Sequence, residues 1–311
     1  MGKELCGGCA ADGRGERAGA EENPGGLRAD ATRRSEWGGY AMRARVLIDN
    51  IARDGLISEW GLSIWIEYEG HKLLLDTGAA GKFVENARAL GVDLAQVELG
   101  VLSHAHYDHA NGIEAFFREN ERAPFFLRAG AQENCYGKKW IFRKYIGIQR
   151  GLMERYPQRF AQAEGKFALL PGAWLLPHSS PDLERIARRA NLYVRRDGRL
   201  VPDDFSHEQS LVFETDGGLV VFNSCSHAGP DNILREVGEA FPGRHVRALV
   251  GGLHLCVLRD DEVRALAGRI REMQVEEIVT GHCTGQRAFG VLREELGEQV
   301  RQIYTGMELE F

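Results

Sequence analysis

The chain has no apolar run of membrane-spanning length, and its first residues lack the apolar core of a signal peptide. The expectation is a protein without a spanning helix, located in the cytoplasm. Positive charge is not in excess either: 39 Lys and Arg against 45 Asp and Glu leave a formal charge of −6 over 311 residues. That balance argues against a broad nucleic-acid-binding surface. Cysteine is sparse, and six residues are too few for a disulfide framework in a chain of this length. Cys6 and Cys9 form a lone C-x-x-C, while Cys225, Cys256 and Cys283 each lie within two residues of a histidine. These last three read as small buried thiols at strand ends, redox-sensitive if a metal pocket lies beside them.

Aliphatic periodicity is missing from residues 1–41, which are rich in Gly, Ala, Arg and Glu and are expected to be a disordered extension. From residue 42 the pattern is regular. Apolar runs predict strands at 43–49, 62–68, 71–75, 97–102 and 124–128, with helices at 82–90 and 111–117. A second regular half opens with a hairpin, 209–215 and 219–222, turned at Asp216-Gly217-Gly218. It continues as helix 231–240, strand 246–250, helix 260–273, strand 275–280, helix 286–296 and a final strand near 302–309. The alternation predicts an α/β domain over residues 42–311. Between the halves, residues 131–205 break the rhythm with Pro171, Pro177, Pro181 and Pro202, and they carry a basic, aromatic run at 138–145 and a second basic group at Arg188-Arg189. This stretch is expected to form a lid or substrate wall, with cations for an anionic substrate and aromatics for a ring.

What the chain does have is imidazole in one place. Ser103-His104-Ala105-His106-Tyr107-Asp108-His109 packs three of the ten histidines and a carboxylate into one strand-to-helix turn. In an extended segment His104 and His106 project to the same side and can reach one cation, while Asp108 and His109 start the next turn and can reach a second. Imidazole with carboxylate, and no thiolate quartet, suits zinc, manganese or iron and leaves coordination positions for water and substrate. Each later strand of the second half leads to a further histidine, His227, His254 and His282. Loops at strand ends are where α/β architectures collect catalytic groups.

Asp76-Thr77-Gly78, the H-x-H-x-D-H cluster and the later strand-end histidines, in that order, resemble the metallo-β-lactamase superfamily. The resemblance covers residues 42–311 and implies a four-layer αβ/βα sandwich with a site for two divalent metals at one edge, zinc first and manganese, iron or magnesium as alternatives. The segments 223–229, 251–255 and 280–285, with Asp203-Asp204 and Glu208-Gln209-Ser210-Leu211 upstream, look like the dihydropterin-synthase-like branch. That branch is named for an archaeal enzyme that joins a dihydropterin methyl group to a ribofuranosylaminobenzene phosphate, and many of its bacterial members are described only as metal-dependent hydrolases. One departure stands out: the superfamily's late Gly-Asp pair, source of a bridging carboxylate, is replaced here by Ser224-Cys225-Ser226-His227.

The resemblance therefore implies His104, His106 and His227 on a first metal and Asp108, His109 and His282 on a second, with His207 or Glu208 as alternative ligands. Asp76 is expected to orient a ligand imidazole through its other nitrogen. Asp108 is counted as catalytic as well as a ligand. His254, by analogy with the superfamily's tRNA-processing ribonucleases, is expected to be the general acid. The function implied is a metal-dependent hydrolase acting on a small, phosphorylated, anionic substrate. A dihydropterin-type transferase is the first alternative and a metal-containing binding or sensing protein the second; nuclease action is disfavoured by the acidic chain. Oligomeric state is not legible in the sequence.

Overall fold

The computed structural model describes residues 42–139, 142–179 and 183–311. The expected extension at 1–41, with Cys6 and Cys9, lies outside them, as do Trp140, Ile141 and Pro181. In chain order the first half runs β1 (Met42–Ile48), β2 (Ser63–Tyr68), β3 (His71–Leu75), α1 (Phe83–Ala89), β4 (Leu99–Val101), α2 (Tyr107–Ala110), α3 (Ile113–Glu119) and β5 (Phe125–Arg128). The middle stretch gives β6 (Cys135–Lys139), β7 (Phe142–Tyr145), α4 (Leu152–Arg155), β8 (Phe160–Ala163), β9 (Phe167–Leu170), β10 (Ala173–Pro177), α5 (Leu183–Ala190), β11 (Leu192–Arg196) and β12 (Arg199–Pro202). The second half gives β13 (Gln209–Thr215), β14 (Gly218–Phe222), α6 (Pro230–Ala240), β15 (Val246–Gly252), α7 (Asp260–Glu272), β16 (Glu277–Gly281), α8 (Gln286–Leu296), β17 (Val300–Gln302) and β18 (Glu308–Glu310).

Two seven-stranded sheets result, ordered β18-β1-β2-β3-β4-β5-β8 and β17-β16-β15-β14-β13-β10-β9. Their strands alternate between two buried faces, as the period of two requires. Leu73 and Leu75 face the space between the sheets, while Leu74 faces the α1 and α3 side. Val220 and Phe222 likewise face inward, with Val221 turned toward the helices of the second half. One inter-sheet core and two sheet-helix cores make the expected four layers, α/β/β/α.

The sequence differs from the structure in three places. The helix expected at 111–117 starts at Ile113, and a separate turn, α2, begins inside the histidine cluster. Gly112 divides them where a Cβ would lie 2.0 Å from Thr77 O, so the cluster packs directly on the end of β3. The final strand expected near 302–309 is two strands in different sheets. Between them Ile303 and Met307 are buried in the inter-sheet core, and the Thr305 hydroxyl accepts the Asp49 N–H at 2.9 Å, so the chain crosses from one sheet to the other. Residues 131–205 are shared out: β8 extends the first sheet, β9 and β10 the second, and β12-β11-β6-β7 form a separate four-stranded sheet.

Strands β3 and β4 are parallel, as are β14, β15 and β16. Their C-terminal ends therefore open on common edges, and the chemistry-bearing loops follow those ends. No helix among the described residues is long and apolar enough to cross a membrane.

Candidate metal centre

The loop after β4 carries His104 in a bend and His106 in extended backbone, the latter as N-cap of α2 with φ −83° and ψ 149°. Asp108 and His109 then stand on α2 itself. All four are buried. The loop after β14 brings His227 to His104 and His106, with ring centroids at 4.9 and 5.0 Å, and the loop after β16 brings His282 to His109 at 4.9 Å. The sequence-predicted ligands thus fall into two groups, His104 with His106 and His227, and Asp108 with His109 and His282; within each, candidate ligand atoms lie within 4.8 Å of one another.

Hydrogen bonds fix which nitrogen each ring offers. Asp76, fully buried at the end of β3, accepts the Ser103 N–H at 2.7 Å, the Ser103 hydroxyl at 2.6 Å and His109 Nδ1–H at 2.8 Å. With its only proton given to Asp76, Ser103 Oγ accepts His104 Nδ1–H at 2.9 Å. His282 Nδ1–H donates to Asn50 Oδ1 at 3.1 Å, and Asn50 Nδ2 donates to the His282 carbonyl at 3.2 Å. In all three rings the Nδ1 proton is engaged, and the Nε2 lone pair faces the centre. His104 Nε2 and both nitrogens of His227 are buried with no partner, and His106 Nε2 makes no hydrogen bond.

The second group is stricter. His109 Nε2 and His282 Nε2 lie 3.2 Å apart, and Asp108 Oδ2 lies 3.4 Å from the latter. Two lone pairs at that separation repel unless a cation or a proton sits between them. The residues therefore fit divalent metals held by neutral imidazoles and carboxylate. Burial, reinforced by neighbouring imidazoles, holds His104 and His227 well below the ordinary histidine range, which keeps them neutral. Burial opposes ionisation of Asp108, but the His109 charge and the His282 hydrogen bond outweigh it and hold the carboxyl well below its usual range.

His282 is pushed up to about 9, because its bond to Asp108 and the nearby Cys283 and Asp108 charges outweigh burial. Without metal the proton in the gap thus belongs to a group that keeps it at neutral pH, and metal binding has to displace it. Calorimetric zinc titrations near neutral pH, in two buffers of different ionisation enthalpy, are expected to show about one proton released at this position. Apparent affinity should rise with pH up to about 9. Zinc uptake without proton release would contradict this protonation state.

Three groups absent from the sequence reading of the site join it. Cys225, fully buried, puts Sγ 3.3 Å from His109 Nε2 and forms a possible donor set with His104 and His109. It lies in the Ser224-Cys225-Ser226-His227 segment that replaces the superfamily's Gly-Asp pair, where the sequence had pointed to His227 instead. Asn50 orients His282, and Trp60 donates its indole N–H to Asp108 Oδ2 at 2.9 Å. Only a strand end pointed to Asn50, and nothing in the sequence pattern pointed to Trp60.

The alternative ligands have hydrogen-bond partners of their own, and His207 also falls with His106, Cys135 and Asp203 in a further group whose candidate ligand atoms lie within 4.8 Å of one another. Glu208, with a pKa raised by burial, accepts the backbone N–H groups of His227 and Ala228 on separate oxygens at 2.9 and 3.0 Å, and so shapes the His227 loop. His207 Nδ1 accepts the Ala105 N–H at 3.1 Å, leaving Nε2–H to donate to Asp203 at 3.0 Å. His254 follows the end of β15 beside the first ligand group, in left-handed backbone at φ 50°. Its ring is 4.4 Å from that of His227, neither ring nitrogen has a partner, and it borders a cavity of about 460 Å³. Arg185, Arg189 and Arg269 line the same cavity.

A profile of the metallo-beta-lactamase superfamily matches residues 61–185. The metal-dependent hydrolase Tm1679 of the beta-lactamase superfamily is 32% identical and superposes with a TM-score of 0.75, covering 87% of this chain and 99% of its own. Zn(2+)-bound PqqB from Methylobacterium extorquens, 11% identical, shares the fold with a TM-score of 0.50 over 86% of this chain and 100% of that one. In sequence, the 7,8-dihydropterin-6-methyl-4-(beta-D-ribofuranosyl)-aminobenzene-5'-phosphate synthase of Methanocaldococcus jannaschii is 26% identical over 82% of this chain and 90% of its own length. The four-layer fold, the two ligand groups at its edge and these likenesses agree, and the chain belongs to the metallo-β-lactamase superfamily of enzymes.

Proposed function

We propose that the protein is a dinuclear metal-dependent hydrolase of a small, phosphorylated substrate. The observation that carries this reading is the facing pair of Nε2 atoms of His109 and His282 at 3.2 Å, beside a separate group of three imidazoles whose Nε2 atoms make no hydrogen bond. His104, His106 and His227 hold one ion and Asp108, His109 and His282 the other, with Cys225 Sγ offered between them; His207 and Glu208 support the site from outside. Two such ions, zinc first, supply an acidified water and stabilise negative charge as it develops. The protein's own part is to keep His104 and His227 neutral, to hold Asp108 ionised, and to present His254 as proton donor to the leaving group.

The cavity supports an anionic substrate. Its lining sets three arginines against the carboxylates of Asp231 and Glu262, and Arg189 and Arg269 are paired with Glu262 and Asp231 at 2.5 and 2.7 Å. Of the stretch 131–205, α5 contributes Arg185 and Arg189 to this lining, which narrows the substrate wall to that helix. Arg188 instead points outward, 61% exposed beside Glu184.

Transfer is the second reading, favoured by the printed activity of the archaeal relative, a synthase. In that case a substrate arene takes the place of water as nucleophile. Metal-loaded protein should be incubated with phosphomonoesters, phosphodiesters, lactones and a dihydropterin phosphate, the last with and without an aminobenzene acceptor. Phosphate release from the esters is expected. Coupling to the acceptor without net hydrolysis would select transfer, and binding without turnover of any substrate would sink the enzyme reading.

A further inference from the structure

The loop between β1 and β2, residues 49–62, makes two side-chain to side-chain hydrogen bonds to the second ligand group. Asn50 holds His282 through Nδ1, and Trp60 holds Asp108 through its indole N–H. Trp60 reaches the metal loop because its neighbour is Gly61. A Cβ there would lie 2.6 Å from the Asp108 carbonyl oxygen, which also accepts the Leu62 N–H at 3.3 Å. Any other residue would lift the loop and take the indole away from Asp108.

The indole N–H chooses Oδ2, the same oxygen that lies 3.4 Å from His282 Nε2 and 4.0 Å from His109 Nε2. Asp108 is thus held in one orientation from outside, and a carboxylate with a fixed orientation binds metal without first losing rotational freedom. The ring itself is not consumed by packing. Its centroid is 5.1 Å from that of His282, tilted by 48°, and the residue is 50% exposed. Exposed large hydrophobics are few among the described residues, and of those only Trp60 has its polar atom on a group of the centre. An amphipathic ring with its polar edge satisfied and half its surface open to solvent is suited to receive another flat ring.

We propose that Trp60 is a positioning and specificity residue: its N–H fixes Asp108 for the second metal, and its half-exposed ring receives the flat ring of an aromatic or heteroaromatic substrate. This rests on the reading that Asp108 holds a metal. The test uses the full chain as wild type, Trp60→Phe, Trp60→Ala and Asp108→Ala. Affinity for the second zinc equivalent is read by competition with a chromophoric chelator, and binding of pterin-6-carboxylate by calorimetry.

Trp60→Phe keeps a ring and loses the donor. It is expected to weaken the second zinc about 10- to 100-fold while holding pterin affinity within about threefold. Trp60→Ala is expected to lose both. Wild-type zinc affinity in Trp60→Phe overturns the positioning role. Pterin binding that is absent in wild type, or unchanged in Trp60→Ala, overturns the ring role. Asp108→Ala separates the two levels: if it still binds about two equivalents, the metal reading itself fails, whereas loss of one equivalent there with an unaffected Trp60→Phe overturns this inference alone. Because Trp60 is half exposed, its variants are expected to fold, which unchanged thermal unfolding checks.

Discussion

Protein purified without added metal or chelator is expected to carry about two equivalents of divalent metal, and His227→Ala about one. In the proposed assignment His227 completes the first ligand group with His104 and His106. It is buried, both its nitrogens lack partners, and it stacks face to face on Phe205 with centroids 4.5 Å apart and planes within 2°. That stacking fixes the ring plane, and Glu208 fixes the backbone beneath it. Removing the imidazole leaves His104 and His106, too few protein ligands for a retained ion at low free metal. Elemental analysis of both proteins decides the matter. Two equivalents kept by the mutant would remove His227 from the centre. No metal in wild type, with none gained on reconstitution, would defeat the proposed function as a whole.

The second large effect is expected at His254. His254→Ala should lower turnover about 100- to 10,000-fold, the usual contribution of a positioned proton donor, while metal content stays at the wild-type level. The backbone there is left-handed at φ 50°, a conformation that a residue with a Cβ adopts only at a cost of order 1 kcal/mol. The surroundings hold it: the His254 N–H donates to Cys283 Sγ at 3.2 Å, and the Leu253 N–H to Thr284 Oγ1 at 2.9 Å. The strain delivers an imidazole with two unpaired nitrogens to the edge of the arginine-lined cavity. Unchanged turnover would remove the assigned role. Loss of metal together with turnover would make His254 a ligand instead, a possibility with a structural basis because Cys225 and Cys283 lie within ligand distance of it.

The sequence by itself determined whatever is local. H-x-H-x-D-H lies on one strand-to-helix turn, so its spacing alone brings two histidines to one side and sets Asp108 and His109 on the next turn. The strands at 71–75, 209–215 and 219–222 were legible because burial on both sheet faces writes near-continuous apolar runs between turn residues. Asp76, expected from the resemblance to orient a ligand imidazole, accepts His109 Nδ1–H at 2.8 Å.

Tertiary structure decided what depends on residues far apart in the chain. Cys225 meets His109 across 116 positions, Asn50 meets His282 across 232, and Trp60 meets Asp108 across 48. No periodicity records such meetings, since they follow from the order in which strands pair. For the same reason 302–309 read as one strand: its apolar pattern is continuous, and only the pairing of β17 with β16 and of β18 with β1 divides it between two sheets. Residues 131–205 were distributed over three sheets, β8 by pairing with β5 and β10 by pairing with β13, both outside the stretch, while β6, β7, β11 and β12 pair among themselves. Local chemistry wrote the ligands into the sequence; the hydrogen-bonded partners that aim them exist only once the sheets have closed.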